Sequence, residues 1–204
     1  MTATLLHGYL AGHRQVFDAI EGLGPQIATA AERLAQCLRD GGKILLCGNG
    51  GSAADCQHVA AEFTGRFQKE RAPLAALALT TDTSALTCIG NDYGFEQVFA
   101  RQVQALGRAG DCLVGISTSG RSPNVMRAVQ TARAGGLSTI GLLGRDGGEL
   151  ATLCDLAVVV PGADTARIQE AHLFIEHAWC GLVEHALSES TSQQGSRHAH
   201  RHDQ

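Results

Sequence analysis

The sequence lacks any long apolar run and any block of basic residues. No segment approaches the ~20 consecutive apolar residues of a membrane-spanning helix, so a membrane protein is not predicted. The chain has 204 residues, with 16 Lys and Arg against 20 Asp and Glu. The resulting net charge of -4 does not favour binding to nucleic acid. What remains is the composition of an ordinary globular protein, long enough for a single domain.

Cysteine pairs with metal or redox spacing are also missing. The seven cysteines contain no Cys-x-x-Cys pair, and their number is odd. The N-terminus has no basic start followed by an apolar run, so a secretory signal is not predicted. The cysteines are therefore expected to be reduced core thiols in a cytoplasmic protein.

Short apolar runs alternate with helical stretches along the middle of the chain. The runs are apolar on both faces, which is typical of strands in a parallel sheet covered by helices. Strands are predicted over 43–48, 74–79, 111–117, 138–144 and 156–161, with helices over 52–68, 95–107 and 122–135. This alternation predicts an α/β fold with a doubly wound, parallel five-stranded sheet.

Helices are predicted at both ends of the sheet-forming region. Residues 2–41 are predicted to form two helices broken around 22–25, and residues 165–187 one long helix that is apolar over much of its surface. A helix that is apolar nearly all round is buried in a core or against another chain. We therefore predict a single domain over 1–187 that assembles through its helices, with 1–41 as the oligomerisation segment. The tail 188–204 has little apolar surface to bury and is predicted to be disordered.

Two strand-to-helix turns have the composition of anion-binding turns. The first contains Asn49, Gly50, Gly51 and Ser52, and the second contains Ser117, Thr118, Ser119 and Ser122. Turns at the carboxyl ends of parallel strands offer helix-start amides and hydroxyls to a phosphate. The first turn alone is as consistent with a tight connection, whereas four hydroxyls at the end of a buried strand favour phosphate binding. Neither turn matches a dinucleotide or nucleoside triphosphate motif.

Acid–base and metal candidates lie on two helices. His58 and Glu62 are four residues apart, so they share a helix face and could hold one cation, or form a surface hydrogen bond. Gln169 and His177 lie on the last helix, eight residues and ~12 Å of rise apart, which favours a site that neighbouring chains complete. His177 could equally pair with Glu170 or Glu184. Asn91 and Asp92 fall in a predicted loop and could contact a ligand or only shape the turn.

Six segments, taken in order, resemble the phosphoheptose isomerase family of the sugar isomerase (SIS) fold. They are CGNGGSAADCQH (47–58), AEFTGRF (61–67), GNDYGF (90–95), GISTSGRS (115–122), GRDGGELA (144–151) and ARIQEAH (166–172). No single motif is specific, but the ordered set is. The resemblance implies a flavodoxin-like SIS fold and conversion of D-sedoheptulose 7-phosphate to D-glycero-D-manno-heptose 7-phosphate, through an enediol. It also implies a homotetramer with one zinc ion per subunit, and a place at the start of ADP- or GDP-heptose precursor synthesis.

The resemblance further implies roles for individual residues. The zinc ligands would be His58, Glu62, Gln169 and His177, with Glu62 also the general base and His177 the general acid. Substrate contacts would come from Asn49, Gly50, Gly51, Ser52, Glu62, Asn91, Asp92, Ser117, Thr118, Ser119, Ser122 and Gln169.

Two other functions remain open on the sequence. One is a non-catalytic relative that binds the bacterial replication initiator protein, a group that lacks the glutamate and second histidine corresponding to Glu62 and His177. The other is a different sugar-phosphate enzyme of the same fold. The presence of both Glu62 and His177 favours the isomerase.

Overall fold

The structure is a computed structural model that describes the backbone of residues 2–199 and the side chains as far as Ser188. Its strands are β1 (Ile44–Gly48), β2 (Ala76–Ala78), β3 (Cys112–Ser117), β4 (Ser138–Gly144) and β5 (Leu156–Val160). All neighbouring pairs are parallel, in the order β2-β1-β3-β4-β5. This confirms the predicted five-stranded, doubly wound sheet.

The helices are α1 (Thr2–Ile20), α2 (Gly24–Arg39), α3 (Gly51–Thr64), α4 (Thr83–Tyr93), α5 (Ala100–Leu106), α6 (Pro123–Ala134), α7 (Leu150–Leu153) and α8 (Thr165–Ala199). The two N-terminal helices, α3 and α6 lie close to their predicted places. The predicted helix over 95–107 is instead a short 3-10 turn, Phe95–Gln97, followed by α5. Helices α4 and α7 were not predicted.

The sheet is covered on both faces. One apolar cluster joins it to α1, α2, α3 and α8, and a second joins it to α5, α6 and α7. Trp179 of α8 is buried in the first cluster and donates its Nε1 hydrogen to the carbonyl of Ile27, 3.1 Å away. Both faces of the central strands are therefore dry, which explains their continuous apolar runs.

Helix α8 continues past the predicted end at residue 187, as far as Ala199. The predicted disorder of 188–204 falls partly on this last stretch and partly on 200–204, which lie outside the described residues, and it stays a prediction. Across the described part of the chain, no helix is long and apolar enough to cross a bilayer. All seven cysteines are free thiols, and five of them are buried, although Cys88 is exposed and Cys154 half-buried.

Candidate active site

The two glycine- and serine-rich turns lie side by side at the carboxyl edge of the sheet. Strands β1 and β3 are neighbours, with Gly48 opposite Ile116, and the chain leaves them in opposite directions toward β2 and β4. In open α/β sheets this point of reversal is where ligands bind. The fold therefore places both predicted anion-binding turns at one candidate ligand site.

The second turn forms a compact cluster of hydroxyls. The Ser117 Oγ lies 2.9 Å from the Ser122 Oγ and 3.4 Å from the Ser119 Oγ, and it accepts a hydrogen bond from the amide of Gly120. Thr118 is half-buried beside this cluster. The three serines thus converge at the start of α6, where helix-start amides favour an anion.

Asn49 joins the first turn to the second. Its side-chain amide exchanges two hydrogen bonds of 2.8 Å with the amide of Asn124, at the start of α6. Gly50 has φ 56°, a left-handed conformation that favours glycine and lets the chain enter α3 at Gly51. Ser52 is buried under the turn. Asn124 was not predicted to matter, although it lies in the same serine-rich stretch.

Helices α3 and α8 bring together three of the four predicted metal ligands. The Nε2 atoms of His58 and His177 lie 2.8 Å apart, and the His58 Nε2 lies 3.6 Å from a carboxylate oxygen of Glu62. One donor atom from each of the three residues falls within 4.8 Å of the others. All three come from one chain, so this trio does not require a neighbouring subunit; a contribution from neighbours stays a prediction.

The trio fits a zinc ion. Zinc takes imidazole nitrogens and carboxylate oxygens at about 2.0–2.2 Å, so the donors of one tetrahedral ion stand roughly 3.3 Å from each other. The two distances measured from the His58 Nε2 lie on either side of that value. His58 and Glu62 are partly exposed and free to adjust. The alternative of His177 paired with Glu170 or Glu184 is not what the structure shows, because those acids bind His13 and Arg71 instead.

The side chain of Gln169, on α8, lies against the start of α3. Its Nε2 donates to the Asp55 carboxylate over 3.2 Å, and its amide fills the space beside Gly51. Residues 169 and 177 on α8 thus meet residues 51–55 and 58 on α3, so the two helices run in the same direction. Burial raises the pKa of Asp55, while the bond from Gln169 and the charge of His58 oppose the rise. The membership of Gln169 in the metal site stays a prediction.

A buried carboxylate holds the segment that follows α3. Glu184 accepts hydrogen bonds from the amides of Phe67, Gln68 and Lys69 and from the Arg71 guanidinium, all at 2.9–3.0 Å. These four donors hold the pKa of Glu184 below its ordinary value despite its burial.

The segment in turn carries an aromatic ring to the site. The Phe67 ring stacks on the His177 imidazole, with ring centres 5.5 Å apart and planes 15° from parallel. Arg71 also donates to the carbonyls of Glu62 and Phe63 at the end of α3. Glu184 therefore holds the segment that carries Phe67, and Arg71 holds the end of α3. The periodicity of the sequence could not reveal these roles.

The prediction of a loop at Asn91 and Asp92 was wrong. Both residues lie in the last turn of α4, which begins where the Asp82 carboxylate caps the amide of Ala85 and ends before Gly94, at φ 87°. Asn91 and Asp92 bond to each other and are exposed. Turn-forming residue types occupy the end of a helix here, and their composition does not distinguish it from a loop. A ligand contact there stays a prediction.

Two ionisable residues of α8 are fully buried. The His172 Nε2 lies 3.0 Å from the Leu143 carbonyl oxygen, and burial lowers the pKa of its imidazole to about 4. Neither Glu176 oxygen has a hydrogen-bond partner within the described residues, and burial raises the pKa of this carboxyl well above its ordinary value. Burial thus disfavours the charged form of both side chains, which separates them from the more exposed trio of His58, Glu62 and His177.

Residues 8–144 match the family described as SIS domain. The five-stranded parallel sheet flanked by helices is the fold of a domain of this class.

The chain is also similar to named enzymes over most of its length. It is 56% identical to phosphoheptose isomerase 1 of Campylobacter jejuni over 175 residues, which cover 86% of this chain and 94% of the relative. The phosphoheptose isomerase GmhA of Neisseria gonorrhoeae superposes with a TM-score of 0.86 at 50% identity, covering 90% of this chain and 99% of that one. A phosphoheptose isomerase of Francisella tularensis superposes with a TM-score of 0.87 at 39% identity, covering 90% and 98%. The chain belongs to the phosphoheptose isomerase family.

Proposed function

We propose that this chain converts D-sedoheptulose 7-phosphate to D-glycero-D-manno-heptose 7-phosphate. As a member of this family it is an aldose–ketose isomerase, and the alternative of a non-catalytic binding protein is not favoured. The observation that carries the proposal is the convergence of His58, Glu62 and His177, on a domain whose hydroxyl-lined turn suits a sugar phosphate. The reaction would supply an early precursor of nucleotide-activated heptoses.

The isomerisation moves one proton between adjacent carbons through an enediol. Glu62 would act as the base that removes a proton from C1 of the ketose and returns it to C2. His177 would donate a proton to the ketone oxygen O2 as the enediol forms and would take up the O1 proton as the aldehyde forms. The stacked Phe67 ring fixes the plane of its imidazole. The other two proposed ligands, His58 and Gln169, would help to orient the two reacting oxygens of the substrate.

His58, Glu62, Gln169 and His177 would hold one zinc ion in each subunit. Zinc bound there would supply Lewis-acid stabilisation of negative charge on the substrate oxygens. A glutamate that is both ligand and base is a weaker base than a free one, so binding of the ion would lower the basicity of Glu62.

The phosphate end of the substrate would bind the two turns. Ser117, Ser119 and Ser122 would donate hydroxyl hydrogens, with Thr118 beside them and the α6 amides behind. Asn49 to Ser52, Asn91 and Asp92 would contact the sugar hydroxyls. The one cationic side chain of the second turn, Arg121, is paired with Asp146, so neutral donors would do most of the binding.

The chain would act in the cytoplasm as a homotetramer. Large apolar side chains of α1 are exposed, including Leu5, Leu6 and Tyr9 at 56–58% of their surface, and Phe174 and Leu182 of α8 are also exposed. Clustered exposed apolar residues mark surfaces that bind another chain. Light scattering on the purified protein tests the tetramer, and a monomeric mass would contradict it.

The function is tested by NMR of purified protein with sedoheptulose 7-phosphate. We expect turnover to the aldose phosphate, a loss of activity with a zinc chelator, and recovery when zinc is restored. Glu62→Gln should lower kcat by about 10²–10⁴-fold, as loss of a general base does. Glu32→Gln, an exposed acid on α2, is the matched control and should not change kcat. No turnover by the wild-type protein would reject the proposal.

A further inference from the structure

One carboxylate at the site has no role in the reaction described above. Asp55 lies one turn before His58 on α3, half-buried, with one oxygen 3.2 Å from the Nε2 of Gln169. We propose that Asp55 is a positioning residue that fixes which way round the Gln169 amide faces. This rests on the proposed function, because Gln169 must itself serve the site.

The chemistry of the pair gives the orientation. An amide has a donating NH2 end and an accepting oxygen end of nearly equal size, and rotation about its last bond exchanges them. An ionised carboxylate only accepts. Asp55 therefore binds the NH2 end, and the reversed amide would set two oxygens against each other. The oxygen of Gln169, the only end that can bind a cation, is left facing away from Asp55.

Packing fixes the place of the amide while Asp55 fixes its direction. A methyl group at Gly51 would lie 1.9 Å from the Gln169 Nε2 and 2.6 Å from its Oε1, so the amide fills that space. Because the two ends are almost the same size, this contact cannot tell them apart. Among the contacts of the described residues, the hydrogen bond to Asp55 is the one that distinguishes the two ends. His58 lies three residues further along the same helix face. The amide oxygen is thus turned away from Asp55 before any cation or substrate binds.

The test is a double-mutant cycle on the full chain. Asp55→Asn keeps the shape but offers both a donor and an acceptor, so the Gln169 amide is satisfied either way round. Zinc affinity is measured by competition with a chromophoric chelator, and the cobalt-substituted protein gives a visible spectrum that reports the ligand set. Loss of a residue that orients a ligand lowers metal affinity by about 10–100-fold, so we expect at least about tenfold from Asp55→Asn. The same change made in a Gln169→Ala background should have almost no effect.

Each outcome separates the two proposals. If Gln169→Ala changes neither zinc affinity nor turnover, the proposed role of Gln169 is wrong. If Gln169→Ala weakens both but Asp55→Asn is silent, or acts equally in the two backgrounds, Gln169 keeps its role and the positioning role of Asp55 is overturned. Asp55→Ser, too short to reach the amide, replaces Asp55→Asn in the cycle if that variant melts more than about 5 °C below the wild type.

Discussion

Removing the charge of Glu184 should destabilise the chain more than any other single acid-to-amide change near the site. The Oε1 of Glu184 accepts from Phe67 and Arg71, and its Oε2 accepts from Gln68 and Lys69. In Glu184→Gln one of these oxygens becomes an NH2 group. Whichever way the new amide turns, two donors then face another donor.

The size of the loss follows from those two donors. A buried donor left without an acceptor costs about 1–3 kcal/mol, so the two donors together should lower the free energy of unfolding by about 2–6 kcal/mol. The wild-type bonds form with a residue of which only 3% is exposed, so the side chain of Glu184 itself has little contact with water. The matched control is Glu70→Gln, in the same segment, whose side chain is 88% exposed and should contribute less than about 1 kcal/mol.

Guanidinium unfolding followed by the fluorescence of Trp179, the single tryptophan, measures both variants at one protein concentration. The pKa of Glu184 is lowered in the folded chain. Its contribution is therefore present above the ordinary glutamate pKa of about 4.3 and is lost as the pH falls through the folded value. The difference in the free energy of unfolding between the wild type and Glu184→Gln should be largest at pH 7 and should decrease in acid. A loss at pH 7 no larger than that of Glu70→Gln would refute the reasoning.

Two further changes test the substrate cradle and the packing beside it. Ser119→Ala combined with Ser122→Ala should raise KM for the sugar phosphate, because each hydroxyl is proposed to bind the phosphate. Steady-state kinetics measures this change. An unchanged KM would contradict the proposed phosphate-binding role of this turn. Gly51→Ala should displace the Gln169 amide, since the added methyl group would lie 1.9 Å from its nitrogen, and so lower activity with little loss of stability. Gly8→Ala, whose methyl group would meet nothing within 4 Å, is its control, and equal activities would contradict the steric argument.

The fold could be predicted from the sequence because its signals are local. Each central strand is a short run that is apolar on both faces. The turns after β1 and β3 can be predicted from their glycine and serine residues. Helix α4 was missed since its last turn, with Asn91, Asp92 and Gly94, has the composition of a loop. The cap that starts it, Asp82, stands among other polar residues and gives no distinct signal.

The site could be predicted only in part. The four-residue spacing of His58 and Glu62 is a helix-face signal, whereas their meeting with His177 depends on how α3 and α8 pack, which no spacing encodes. The eight-residue spacing of Gln169 and His177 favours a contribution from neighbouring chains. In the structure α3 runs beside α8 within one chain. Gln169 therefore contacts Asp55, and His177 contacts His58, without a neighbouring chain. Asp55 and Glu184 matter through contacts more than a hundred residues distant in sequence.

The claim that Glu62 carries the proton is tested most directly by running the reaction in D2O. NMR of the products follows deuterium at C2 of the aldose phosphate. Because a carboxylic acid exchanges its proton with solvent, the wild-type product should carry deuterium at C2, and Glu62→Gln should incorporate it at least about 10²-fold more slowly. A Glu62→Gln variant that forms the aldose phosphate and incorporates deuterium at C2 at the wild-type rate would contradict the account.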